Sequence, residues 1–161
     1  MASGKLSYSE AVVLLLIHQG VSSAKGIAGA MHLPIEEVEV ILRGLEAKGL
    51  ITRGRAGILR RERLRLTRAG YDAIPEATTI AMKVSRRATE AAERARSGGE
   101  RPEFEPEILA ILPALAFLGL LPAWALALLL PLPYIDASTH TDPLDEFDPD
   151  AELLEGFEGE F

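Results

Sequence analysis

From Ile108 to Ile135 the chain runs for 28 residues without a charged side chain, and eleven of those residues are leucine. Leaving the leucines alone in water would cost on the order of 15 to 30 kcal/mol, at about 1.5 to 3 kcal/mol per side chain. Any fold this chain adopts must therefore cover the stretch. Apolar runs of about 18 residues or more are read as membrane spans, and a straight helix over this one would extend about 42 Å against a hydrocarbon layer of roughly 30 Å. Lys83, Arg86, Arg87, Arg94, Arg96 and Arg101 precede the run, and no Lys or Arg follows it. If residues 108–135 form a transmembrane helix, that asymmetry places the preceding residues in the cytoplasm. Pro113 and Pro122 interrupt the run, which also fits a short helical hairpin bending near Gly119 to Pro122. Such a hairpin would lie in one leaflet, pack against a partner subunit or be buried in a soluble cytoplasmic oligomer. The run lies too far from the N-terminus for an ordinary cleaved signal peptide.

Charge is sorted along the chain as sharply as hydrophobicity. All 17 Lys and Arg residues lie at or before Arg101 together with 11 acids, a net of +6, while the remaining 60 residues hold 13 acids and no base. Such a division points to a basic part facing nucleic acid or a membrane and an acidic part facing something else. The chain has no cysteine, which excludes disulfide scaffolds, thiol nucleophiles and Cys-ligated metal sites.

Residues 6–74 read as one small domain. Ser9 is a fit N-cap for a helix over Glu10 to Gln19, in which Val12, Val13, Leu16 and Ile17 fall at helical spacing and Gly20 supplies the stop. Ser22 or Ser23 caps a second helix ending at Met31. Pro34 opens a third, with Ile35, Val38, Ile41, Leu42 and Leu45 as its apolar stripe and Gly49 as its end. Leu50 to Arg53 and Arg63 to Thr67 then read as strands around an Arg-rich tip at Gly54 to Glu62.

Three helices and a two-stranded ribbon in this order, with LEAKGLITR joining helix to strand and LTRAG closing the ribbon, resemble the winged helix-turn-helix family. The similarity is to its MarR-like and ArsR-like members and to small archaeal winged-helix proteins. Gly49 serves the turn after the third helix and Gly70 the start of the next. The resemblance implies a winged-helix domain over residues 6–74; with the remaining patterns of the sequence, the expectation is a mainly α protein in which a long helix, an apolar helical segment and an acidic tail follow it. The resemblance also implies double-stranded DNA as partner, with the third helix presented to the major groove and the wing along the backbone or minor groove.

The two reading elements differ in chemistry. With its apolar stripe inward, the third helix turns Glu36, Val40, Arg43 and Ala47 outward, with Glu37 and Glu39 beside them; only Arg43 suits guanine, and glutamates repel phosphates. Glu36, Glu37 and Glu39 also suit the positive end of the helix dipole. The wing carries Arg53, Arg55, Arg60, Arg61, Arg63 and Arg65 against Glu62 alone, a cationic edge suited to phosphates or a narrow minor groove. The same arginines would equally discourage edge-to-edge strand pairing. Ser23 and Lys25, at the start of the second helix, complete the expected DNA-binding set.

After Pro75, residues 76–96 read as an amphipathic helix with a seam of Ala77, Ile80, Ala81, Val84, Ala88, Ala91, Ala92 and Ala95. In winged-helix regulators a helix in this place commonly joins two copies, which makes a homodimer the expectation, packing on its own domain being the plainer one. Residues 97–106 form a linker around Ser97, Gly98 and Gly99. The tail, 136–161, has ten acids and no base and reads as solvating; it also has the charge to compete with DNA for the wing.

Catalytic chemistry is not evident. His18, His32 and His140 lack metal-ligand spacing, and no nucleophile, base and orienting acid can be named together. No cofactor is implied. The expected role is a DNA-binding transcriptional regulator tethered to a membrane. The alternative is a winged-helix assembly module in a multi-subunit complex, without DNA binding.

Overall fold

The computed structural model describes residues 5–130, which form six helices and one two-stranded antiparallel sheet. The acidic tail and the last five residues of the apolar run lie outside the described residues. The first three helices are α1 (Tyr8–His18), α2 (Ala24–Met31) and α3 (Ile35–Ala47), followed by β1 (Ile51–Ala56) and β2 (Arg61–Leu66). This order and pairing are compatible with a winged-helix-like arrangement. Then come α4 (Arg68–Arg96), α5 (Pro106–Phe117) and α6 (Ala123–Leu129).

Side-chain caps start three of the six helices among the described residues. The Ser7 hydroxyl accepts from Glu10 N and starts α1 two residues before the expected Glu10, and the Ser23 hydroxyl accepts from Gly26 N at the start of α2. Thr67 does two things at once: its hydroxyl accepts from Gly70 N to cap α4 and donates to the Gly49 carbonyl at 2.6 Å. The helix expected over 76–96 therefore begins at Arg68 and runs through Pro75. Pro75 and Tyr71, whose carbonyl loses its helical donor to the proline, both lie on the exposed side of α4, where water can serve that carbonyl. Gly70 is where α4 passes close to the preceding chain. A Cβ there would stand 2.1 Å from the Leu50 carbonyl oxygen, an approach that only glycine allows.

α1 is the centre of the molecule. Ala11 to Ile17 are all buried, as expected of a helix that is apolar all round, and α1 packs against α3, α4, α5 and β2. Part of that cover comes from the apolar run itself. α5 leaves Ile111, Leu112 and Leu115 fully buried and packs on α1 and α2, each side chain contributing about 1.5 to 3 kcal/mol of burial. α5 ends in a left-handed turn at Gly119 (φ +76°), where Leu120 N donates to Leu115 O and Gly119 N to Ala116 O. Pro122 then precedes α6, which lies against α4.

Residues 108–130 are thus two short helices joined at the expected bend, sharing one hydrophobic core with residues 6–74. No helix among the described residues is long and apolar enough to cross a membrane. The alanine seam offered to a second copy is covered within the chain. Ala77, Ala81, Val84, Ala88, Ala91 and Ala92 are buried, in a helix that packs on α1, α5 and α6. The Ser85 hydroxyl donates to the Leu120 carbonyl, and Arg96 stacks over the Trp124 ring at 5.6 Å.

Candidate nucleic-acid interface

β1 and β2 pair from Ile51↔Leu66 out to Ala56↔Arg61. The ribbon is therefore longer, and its tip shorter, than the sequence suggests: Gly54 sits within β1 opposite Arg63, and the turn is confined to residues 57–60. Because side chains alternate across a strand, this register divides the arginines between two faces.

Arg61, Arg63 and Arg65 share one face and stand opposite Ala56, Gly54 and Thr52. All three are exposed. Small residues opposite leave the guanidinium groups free to extend, at about 6.8 Å steps set by the strand rise. None of the three has an ion-pair partner among the described residues. β2 is also tied sideways to the body, since Leu64 N donates to Ser22 O at 2.7 Å. That bond brings the start of α2 beside the ribbon, and Ser23, Lys25, Arg61 and Arg63 line one shallow groove. Lys25 is exposed there. Arg63 and Arg65 border a second depression that includes His18 and Tyr71, whose rings meet edge to face at 6.2 Å.

The other face of the ribbon looks toward α3 and carries Arg53, Arg55, Glu62 and Leu64. Here the structure separates one expected DNA contact from the rest. Arg53 Nη1 donates to Glu39 Oε2 at 2.7 Å and to Glu62 Oε1 at 3.2 Å, and its Nε lies 2.9 Å from Glu46 Oε1. The last contact is ionic without hydrogen-bond alignment, and Nη2 has no partner among the described residues. Burial works against the charge on Arg53; the hydrogen bond to Glu39 and the fields of Glu39, Glu46 and Glu62 outweigh it and hold the guanidinium pKa above its ordinary value. Arg53 is thereby committed to clamping the ribbon onto α3. Glu39 and Glu46 were absent from the expected set, although their spacing of seven puts them on one face of α3. The sole acid of the ribbon, Glu62, also reaches α2, where Ala24 N makes a long 3.5 Å contact with its Oε2.

Arg55 and Arg60 are exposed near the tip. On α3, Arg43 is exposed with Glu36, Glu37 and Val40, and its Nε donates to the Glu39 carbonyl at 3.4 Å. Arg43 thus stands apart from the arginine stripe, on an acid-rich helix face. Ile35, expected inward, is 44% exposed in the first turn of α3.

No family model, curated protein or solved structure matches this chain. Chemistry must carry the functional conclusion. No group of three or more His, Cys, Asp or Glu side chains among the described residues is arranged to hold a metal ion. What the ribbon offers is an open, regularly spaced row of cations on a braced support, joined at one end by Lys25.

Proposed function

We propose that this chain is a winged-helix DNA-binding protein whose wing, rather than its third helix, supplies most of the affinity. The observation that carries the reading is the exposed face of Arg61, Arg63 and Arg65, unpaired among the described residues and continuous with Lys25 across the groove. Duplex DNA carries one phosphate charge per strand for about every 3.4 Å of helix axis, and contacts to it by Lys and Arg release counterions. Arginines at steps of about 6.8 Å stand far enough apart for each to meet a separate phosphate. α3 suits the opposite part: Glu36 and Glu37 at its exposed start repel phosphate, leaving Arg43 as its only natural base reader. Regulation of transcription is the role such binding would serve.

The test is duplex titration of the full chain by fluorescence anisotropy between about 50 and 200 mM salt. Binding should weaken steeply with salt, and Arg61→Gln and Arg63→Gln should each lower the logarithmic salt slope by about 0.9 while weakening all duplex sequences alike. Absence of duplex binding at about 100 mM salt overturns the reading.

One observation favours a second reading. Ile35 and Val40 are 44% and 63% exposed on α3 beside Glu36 and Glu37, an acid-rimmed apolar face suited to a basic protein partner. As an assembly module the chain would bind no duplex, and Val40→Asp would release a co-purifying subunit.

A further inference from the structure

The tip of the ribbon carries the two most exposed large aliphatic side chains among the described residues, Ile58 at 102% and Leu59 at 73%. A lone exposed aliphatic is ordinary; two in succession at the end of a cationic ribbon are not. They are not there to make the turn. Turn chemistry favours Gly, Asn, Asp, Ser and Pro, and here Gly57 (φ +81°) and Arg60 (φ +46°) provide the positive-φ positions, with Arg60 N donating to Gly57 O at 3.1 Å. Strand pairing persists to Ala56↔Arg61, so the turn holds both side chains out on a regular support. Arg55, Arg60 and Arg61, all exposed, flank them at the end of the ribbon. The site therefore calls for a partner that is anionic outside and apolar within.

We propose that Ile58 and Leu59 form an apolar wedge that enters the minor groove of duplex DNA and opens a base step, while the arginines behind them hold the flanking phosphates. The inference rests on the DNA-binding reading above and adds how the wing engages the duplex. Size supports it: a two-stranded ribbon needs a groove of about 12 Å, whereas the minor groove is about 6 Å wide, so that only a short tip such as residues 57–60 can enter. Aliphatic side chains are the usual wedges for unstacking base steps there. An anionic bilayer would also offer charge over an apolar interior, but it fits the arginine row less well. Arg65 lies four residues behind Arg61, about 14 Å along the strand, beyond the roughly 8 Å over which a charged surface acts at physiological salt. A duplex lying along the ribbon can meet Arg61, Arg63, Arg65 and Lys25 together.

The experiment uses the full chain and the double variant Ile58→Ser, Leu59→Ser, which alters only exposed tip positions; matching thermal melts confirm an unaltered fold. The probes are duplexes with a central TA step and 2-aminopurine beside it, labelled at both ends for energy transfer. The native chain should raise 2-aminopurine emission and shorten the end-to-end distance, as expected of a kink of roughly 20 to 90°. The variant should bind about tenfold more weakly, keep the native salt slope and leave the emission at its free value. Native binding without unstacking, or a variant equal to the native chain in affinity and emission, overturns the wedge and leaves DNA binding standing. No native binding to any duplex overturns both. Phosphatidylserine vesicles form the last arm: capture of the native chain and not the variant, with equal duplex binding by the two, assigns the tip to lipid and overturns the wedge.

Discussion

Arg53 shows how a residue's chemistry can be legible while its role is not. As a ribbon arginine it belongs with its neighbours; as a side chain it points the other way, into Glu39, Glu46 and Glu62. Strand alternation makes the two faces predictable, but which face meets α3 depends on packing between residues distant in sequence. Replacing Arg53 with Gln would leave three carboxylates facing one another. Because these side chains are 23 to 37% exposed, the loss should fall below that of a fully buried pair, at about 1 to 2 kcal/mol. Thermal melts should show the drop most clearly at low ionic strength; an unchanged melting temperature would mean that the clamp holds nothing. The sign of its pH dependence follows from the raised pKa of Arg53. The contribution is complete below the ordinary arginine range and is lost only as the pH climbs through the raised value.

Among the elements, α2 was legible by its cap and α3 by its stripe. α2 is capped by Ser23, one of the two serines expected, and ends at Met31, and Val38, Leu42 and Leu45 of α3 face inward. α4 was misplaced at its start because Pro75 reads as a boundary, while the stronger signal was Thr67, three residues before the buried Gly70. The ribbon was drawn too short because Gly54 reads as a turn, although the turn forms at Gly57. For α5 and α6 the need for cover and the bend near Gly119 were both evident, and the origin of the cover was not. Leu112→Ala tests that cover: with Leu112 fully buried in the shared core, chemical denaturation should show a loss of about 2 to 5 kcal/mol in one cooperative transition. A variant as stable as the native chain would mean that α5 is an appendage.

At the scale of the whole molecule, residues 6–74, α4 and the described part of the apolar run share one core. A clue lay in α1, whose stretch Ala11 to Ile17 has no polar side chain at all. Two helices and a ribbon cannot surround such a rod, so further apolar material has to come from elsewhere in the chain. α4 and α5 supply it, while the ribbon gives the core Ile51 and Leu64 and carries Ile58 and Leu59 at its exposed end.

Enclosure of α1 by its neighbours leaves it no private route to loosening. Its amide protons from Val13 to Ile17 should exchange with deuterium solvent only through global opening, more slowly than any others in the chain, whereas those of Ile58 and Leu59 should exchange almost at once. Mass-spectrometric exchange would show this as a single slow class of peptides over residues 11–17, and fast uptake there would mean that the centre breathes independently of what surrounds it.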